Sequence, residues 1–312
     1  MATSVTVNSN YAGTVAGEIT GNAFKEADTL RLGLLTVLPD VDFQVSLRKI
    51  QYASGRVDYA CGFAPAGSVT LSEVLLTPKK IKNELEICKE ELKNIWSAAT
   101  MGFSAHNDSL PTDVEQALLT EILADQAEAT DSDIWSGDAT NTGEFDGFIK
   151  QWTADATVIK GGTGETITSI AAPITETNVE SELKKVLGTI PVELQGRDLK
   201  IVVSPNVYQA YSFYLISKGI SVNADPSSKM MSFGEYSLIK VNGLPSNTIC
   251  VFQTKNVFFV TGLMADHNEI RIKDMDESDL TGQIRFKQVY TAGVGYVSGD
   301  EIIYYDSTAA QV

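Results

Sequence analysis

Apolar and polar residues alternate along one early stretch of the chain. Phe43, Val45 and Leu47 are separated by single polar residues, and this period of two predicts a strand with one buried side. A turn-rich stretch follows, and residues 69–76 predict a second strand. The two strands are therefore expected to form a long hairpin with a wide tip.

Residues 1 to about 30, before this hairpin, are rich in small and polar residues and contain few large apolar side chains. Such a segment buries too little surface to offset its ordering entropy. It predicts an arm that is ordered only where it lies on another surface.

The stretch after the hairpin, residues 77–99, is predicted to be a short strand that runs into a helix. The reason is the near-helical spacing of Leu85, Cys88, Leu92 and Ile95.

A long helix is predicted from residue 112 to about residue 133. Thr112 and Glu115 match a capping box, in which each side chain accepts a hydrogen bond from the backbone amide of the other residue. At 1.5 Å per residue the helix would be a rod of roughly 32 Å.

The second half of the chain has an α/β pattern. Thr177 and Glu180 suggest another capping box, and Ser204 is expected to cap a helix that ends at Gly219. Strands are predicted at residues 199–203, 248–252, 257–261, 269–273, 283–290 and 301–305.

Composition narrows the possible functions. The chain is 43% hydrophobic and 21% charged, like an ordinary globular protein, and its net charge is −16. Proteins that track nucleic-acid grooves neutralise phosphates with Lys and Arg, so this charge argues against that class. An acidic wall could still enclose a polyanion without adhering to it.

We expect no membrane span, since no apolar run approaches roughly 18 residues, and no signal peptide, which makes the cytoplasm the default compartment.

Motifs of the common catalytic and cofactor sites are absent from the sequence. Three dispersed cysteines and two histidines suggest neither a disulfide framework nor a zinc site, and we expect no cofactor or metal. The glycines of residues 161–166 lack the Lys-Ser/Thr of a phosphate-binding loop and predict a mobile loop. His106 and Asp108 could be imagined in a hydrolytic site, but a polar loop is the favoured interpretation.

An acidic region is the strongest charge feature. Eleven Asp and Glu residues and no Lys or Arg lie between Asn94 and Ile149. A solvated surface is the favoured interpretation, because the carboxylate spacing does not match a calcium loop. A further hypothesis is that the acidic helix pairs with basic residues of a neighbouring subunit. The candidate contact residues are Arg48, Arg56, Asp125, Glu128, Arg271, Lys273, Arg285 and Lys287.

The order of these elements resembles the major capsid fold of tailed bacteriophages, the Hong Kong 97 fold. TPKKIKNELEICKEEL is similar to the strand and helix start after the family's E-loop, and DSDIWSGDATNTGEFDGFI to the end of its spine helix and the following turn. LKIVVSPNVYQAY resembles the strand and helix of the axial domain. NEIRIKDMDESDLTGQIRFKQVYTAGVGYVSGDEII resembles the long strands of the peripheral domain. The resemblance runs from about residue 40 to residue 305.

The resemblance implies an α+β fold with four parts. They are an N-terminal arm (1–42), an E-loop (43–77), a peripheral domain (78–155 and 262–293) and an axial domain (156–261 and 294–312).

The implied function is that of a capsid protein and not of an enzyme. Such a protein forms pentamers and hexamers of an icosahedral shell around double-stranded DNA, which it does not bind sequence-specifically. It is located in the virion and assembles in the host cytoplasm, with scaffolding, portal and decoration proteins as further partners. Some members form Lys–Asn cross-links with the help of a Glu. Here Gly282 or Gln283 and Val289 stand at those positions, so non-covalent contacts are expected. The alternatives are an encapsulin-type nanocompartment shell and, from another class, a cytoplasmic hydrolase.

Overall fold

The structure is a computed structural model of the chain. It describes residues 10–11, 28–41, 43–53, 55–59, 61–62, 67–88, 112–161, 167–168, 170, 172–220, 230–262, 270–275 and 282–307. The helices are α1 (Asp28–Arg31), α2 (Thr112–Ser136), α3 (Phe148–Ala154), α4 (Val179–Gly188) and α5 (Pro205–Ser217). The strands are β1 (Asn10–Tyr11), β2 (Thr36–Leu38), β3 (Val45–Ala53), β4 (Ser68–Leu76), β5 (Lys79–Cys88), β6 (Ile159–Gly161), β7 (Leu199–Val203), β8 (Met230–Phe233), β9 (Tyr236–Lys240), β10 (Thr248–Gln253), β11 (Val257–Thr261), β12 (Ile270–Asp274), β13 (Gln283–Tyr296) and β14 (Ile303–Asp306).

The first sheet is organised around β13, which pairs with β5, β11 and β12, all antiparallel. Strands β1 and β2 extend the sheet beyond β12 and β11. Along β13, Phe286 and Tyr290 are buried whereas Arg285 and Lys287 are exposed. Because successive side chains of a strand point to opposite faces, one face of this sheet is packed and the other meets solvent.

Helix α2 covers the packed face of the first sheet. The phenol of Tyr290 lies beside Gln126 and Thr130 of the helix, and both helix residues are buried. The helix has 25 residues, which corresponds to about 37 Å.

The second sheet is buried on both faces. Its strand order is β6-β14-β10-β7-β9-β8. Val202, Phe252 and Tyr304 face a core cluster shared with α2 and α3. Ile201 and Ile249 face the cluster formed with α4 and α5. Burial on both sides explains why these strands are continuous apolar runs in the sequence.

Several predicted elements are confirmed. The hairpin forms from β3 and β4. The strands predicted in the second half are present, and the one predicted at residues 283–290 continues to Tyr296. Pro205 begins α5, and Gly219, at φ +73°, lies just beyond its end. The long helix begins at Thr112 as predicted and extends to Ser136.

The predicted helix over residues 85–88 is wrong. These residues complete β5, a strand of 10 residues that pairs with β13 along its whole length. The remainder of that predicted helix lies outside the described residues. Pairing with a strand about 200 positions later in the chain decided the conformation, and local spacing cannot report such pairing.

The capping box at Thr177 and Glu180 is also not formed. Helix α4 begins at Val179 with Asn178 at the N-cap, whose side chain does not cap the helix. Glu180 instead bonds to Lys184 one turn along.

Three predicted boundaries do not match the packing. Residues 28–41, expected in the arm, contain α1 and β2, and Leu34 and Leu35 are buried in the core. The boundary at 261/262 separates β11 from β13, with which it pairs, and the boundary at 293/294 falls inside β13. Apolar side chains that pack on the first sheet join these segments to it.

Candidate assembly surfaces

The solvent side of the first sheet carries ordered rows of charge. Residues directly opposite each other on paired strands share a face. The register places Arg285 between Glu86 and Lys273, and Lys287 between Glu84 and Arg271. We call these six residues the charged strand face: Glu84, Glu86, Arg271, Lys273, Arg285 and Lys287.

Two basic residues of this face already have acidic partners within the chain. Arg285 Nε lies 2.6 Å from Glu86 Oε2, and Lys287 Nζ lies 3.4 Å from Glu84 Oε1. Hydrogen bonding from Lys82, assisted by Lys287, lowers the pKa of Glu84. Exposed pairs of this kind contribute little to the free energy of unfolding. Exchanging them for contacts with another molecule would therefore cost little.

The acidic residues proposed on the long helix point away from this face. Asp125 and Glu128 are exposed, whereas Gln126, Ala127 and Thr130 are buried on the side toward the sheet. The charged strand face and the acidic helix side therefore lie on opposite sides of one layer. The expected pairing between the two sets across a subunit boundary stays a prediction.

The hairpin presents an apolar surface to solvent. Ile50 stands opposite Leu71, and Tyr52 opposite Val69. These four side chains are 62–70% exposed. We call them the hairpin apolar face. A two-stranded ribbon is marginal in water by itself, and an apolar surface on one is typical of a contact site.

The remaining candidate residues lie on the same hairpin. Arg48 is exposed next to the hairpin apolar face and stands opposite Glu73. Arg56 is exposed at the hairpin tip. The structure therefore places Arg48 next to the hairpin apolar face. Neither arginine lies on a strand that pairs with the strands of the charged strand face.

The base of the hairpin is attached to the body by close packing and one ion pair. Lys49 Nζ lies 3.1 Å from Asp300 Oδ1. A Cβ at Gly295 of β13 would overlap the end of the Leu76 side chain, so the glycine lets β4 pack closely on β13. These contacts join the hairpin to β13 and to Asp300.

The turn after α2 is held by the ammonium of Lys79, at the start of β5. Lys79 Nζ donates to the backbone carbonyl oxygens of Ala139, Asn141 and Glu144 at 3.0, 3.4 and 2.6 Å. Burial, and then the nearby Glu144, raises the pKa of Asp133 beneath this turn to about 6. Lys79 therefore links the turn after α2 to the start of β5, the strand that follows the hairpin.

Nothing in the described part of the chain suggests a metal centre or a membrane helix. Among those residues no three His, Cys, Asp or Glu side chains group in a way that could hold an ion. None of the described helices is both long and apolar enough to cross a bilayer. His106, Asp108 and residues 162–166 lie outside the described residues.

Sequence comparisons find no match, whereas structural comparison finds chains with a similar fold. No protein-family model and no curated protein matches the chain. A chain of the "Capsid of native GTA particle computed with C5 symmetry" matches 99% of this chain and 96% of its own length, with 11% identity and a TM-score of 0.64. The "Satellite phage P4 procapsid including size determination (Sid) protein" matches over 96% and 93%, with 12% identity and a TM-score of 0.61. A "virus-like particle from Pyrococcus furiosus" matches over 93% and 96%, with 10% identity and a TM-score of 0.52. The predicted α+β capsid fold is thereby confirmed over nearly the whole chain.

Proposed function

We propose that this chain is the major capsid protein of a tailed phage, which assembles with copies of itself into an icosahedral shell around double-stranded DNA. The observation that carries the proposal is the match of the whole chain, not of one domain, to capsid subunits. Copies would form pentamers and hexamers, with scaffolding, portal and decoration proteins as partners. Assembly would take place in the host cytoplasm, and no enzymatic step is needed.

The hairpin apolar face would supply much of the contact energy between copies. Burying one large apolar side chain contributes about 1.5–3 kcal/mol. Four such side chains per subunit, repeated around a closed symmetric shell, would be sufficient to hold neighbouring copies together. The contacts would be non-covalent, because Gly282, Gln283 and Val289 cannot provide the Asn and Glu of a cross-link.

The acidic charge suits a container for DNA. With a net charge of −16, the wall repels a polyanion overall, so packaged DNA would not adhere to it. The exposed Asp125 and Glu128 of α2 would contribute to this repulsion.

The charged strand face would make contacts with neighbouring copies through Arg271, Lys273, Arg285 and Lys287. Arg285→Glu is expected to block particle formation while the monomer stays folded. The reason is that the reversed charge would repel the acidic group of the neighbouring copy that Arg285 contacts. Sizing chromatography and far-ultraviolet circular dichroism measure the two effects.

The in-chain pair with Glu86 provides the control for that variant. Adding Glu86→Arg to Arg285→Glu restores an ion pair inside the chain with its charges exchanged. We expect this double variant to remain unassembled. Normal particles would mean that Arg285 acts through Glu86 and not through a neighbour.

Electron microscopy of the purified protein tests the proposed function directly. Closed particles of uniform diameter are expected, whereas a protein that stays monomeric at every concentration and salt condition would refute the proposal. The second candidate is a nanocompartment shell, because one matched particle, the virus-like particle from Pyrococcus furiosus, is named after a cellular organism and not after a phage. Nuclease-resistant DNA inside native particles supports the phage capsid, and an enclosed protein cargo supports the nanocompartment.

A further inference from the structure

Asn242 and Gly243 form the one Asn-Gly dipeptide of the chain. It lies in the turn between β9 and β10, and Asn242 is exposed. Within the described part of the chain, the Asn242 side chain makes no hydrogen bond. Its amide is therefore free to rotate toward the backbone nitrogen that follows it.

The glycine at position 243 is required by packing against α2. A Cβ at this position would overlap the backbone carbonyl oxygen of Asp131. An Asn followed by Gly also has the least steric shielding of the next amide nitrogen, since glycine carries no side chain. The fold therefore keeps a residue without a side chain directly after an exposed asparagine.

A buried carboxylate contacts that amide nitrogen. Gly243 N donates to Asp131 Oδ2 at 3.1 Å, and Thr29 N donates to Asp131 Oδ1 at 3.0 Å. Asp131 is 4% exposed. Burial raises its pKa, against the opposing effect of the Thr29 hydrogen bonds, which makes the carboxylate a better proton acceptor. A general base must lie within about 2.6–3.2 Å of the atom whose proton it takes, and Asp131 Oδ2 meets this requirement.

We propose that Asn242 is a self-modifying site, at which Asp131 promotes attack of the Gly243 amide nitrogen on the side-chain carbonyl carbon of Asn242. Asp131 Oδ2 takes the proton from Gly243 N, and a bond forms between that nitrogen and Cγ of Asn242. The Cγ–Nδ2 bond breaks, and the leaving nitrogen takes a proton from water and departs as ammonia. Asp131 then returns its proton to solvent, which leaves a five-membered succinimide. Water opens the ring at either carbonyl, giving aspartate or isoaspartate.

The chain contains an internal comparison at Asp146 and Gly147. Gly147 N donates to the carbonyl oxygen of Gly137 at 2.9 Å, and a carbonyl is not a base. The Asp146 carboxylate is held by Lys150 Nζ and by the amide of Ala139. Ring closure at this dipeptide is therefore disfavoured, although Gly147, like Gly243, has no side chain beside its backbone nitrogen.

Isoaspartate at position 242 would disturb its surroundings. It lengthens the backbone by one methylene directly before Gly243, whose backbone packs closely against the carbonyl oxygen of Asp131. The hydrogen bond from Gly243 to Asp131 would be lost, and the anchoring of Thr29 on the same carboxylate would weaken. Faster hydrogen exchange of the Thr29 amide is the expected sign.

Peptide mapping by mass spectrometry, with ammonia release measured in parallel, tests the proposal on the full-length protein at neutral pH. Conversion at Asn242 should be at least about tenfold faster in the native protein than in the same chain unfolded in urea, because a positioned general base accelerates proton transfer by roughly 10²–10⁴-fold. Asp131→Asn should reduce the native rate by about the same factor. Asp198→Asn, which removes an exposed carboxylate elsewhere, should leave the rate unchanged.

Two results would overturn the proposal. One is a native rate that does not exceed the unfolded rate, and this comparison needs no variant. The other is an unchanged rate in Asp131→Asn whose unfolding transition confirms that it is folded. Both measurements use unassembled subunits as well as particles, so they are independent of whether the chain forms a shell.

Discussion

Replacement of Trp135 by alanine is expected to lower the free energy of unfolding by about 3–5 kcal/mol, the usual cost of emptying a large aromatic site in a core. Trp135 is completely buried. Its ring centroid lies 5.7 Å from that of Phe148 and 6.1 Å from those of Trp152 and Phe252. These neighbours belong to α3 and to β10 of the second sheet, so the cavity would open where the long helix, α3 and the second sheet meet. Urea denaturation followed by circular dichroism measures the loss.

Trp135→Phe separates packing from hydrogen bonding. Trp135 Nε1 donates to Thr29 Oγ1 at 2.8 Å, and phenylalanine keeps a ring but cannot donate. We expect this variant to lose about 1–3 kcal/mol, from the smaller ring and the lost hydrogen bond. Equal losses in the two variants would contradict the packing explanation.

Elements determined by local patterns were predictable from the sequence. The strand at Leu199–Val203 is an apolar run between turn residues, and Pro205 marks the start of the helix that follows. The hairpin was predictable from the alternation around Val45 and Leu47. In each case the signal lies within a few residues of the element itself.

The strand conformation of residues 85–88 depends on pairing with a distant strand. The wrong prediction of a helix there also affected the expectation for the candidate site. Because residues 85–88 were expected to be helical, Glu86 was not recognised as a neighbour of Arg285, and neither was the preceding Glu84 as a neighbour of Lys287. The basic rows of β12 and β13 could be predicted from alternation alone. Their acidic partners could not, since the register of β5 against β13 is a long-range property.

The placement of the acidic and basic surfaces on opposite sides of the layer also could not be predicted from the sequence. Charge patterns identify Asp125 and Glu128 as exposed, but they do not say which side of a sheet a helix covers. Burial of Gln126 and Thr130 next to Tyr290 supplies that information. The acidic side of α2 and the charged strand face therefore lie on opposite sides of one subunit, which the charge pattern of the sequence alone does not show.

Substitution of both Ile50 and Leu71 by aspartate is expected to abolish closed particles. The two side chains stand opposite each other on the hairpin and are 69% and 70% exposed. The free subunit would tolerate the change, because both positions already meet water. In a shell they would be covered by a neighbouring copy, and burying an unpaired carboxylate costs several kcal/mol at every contact.

The matched control places the same charges on the other side of the same hairpin. Gln51 and Thr70 are also directly opposite each other, one position nearer the hairpin tip on each strand. Substituting both by aspartate gives an equal charge change and equal repulsion between strands, but the carboxylates point away from the hairpin apolar face. Electron microscopy and sizing chromatography should show particles for the control variant and only small species for the Ile50 and Leu71 variant. If both variants assemble, the hairpin apolar face does not lie between copies; if neither does, the charge has damaged the hairpin itself, and the smaller change to serine at Ile50 and Leu71 distinguishes the two causes.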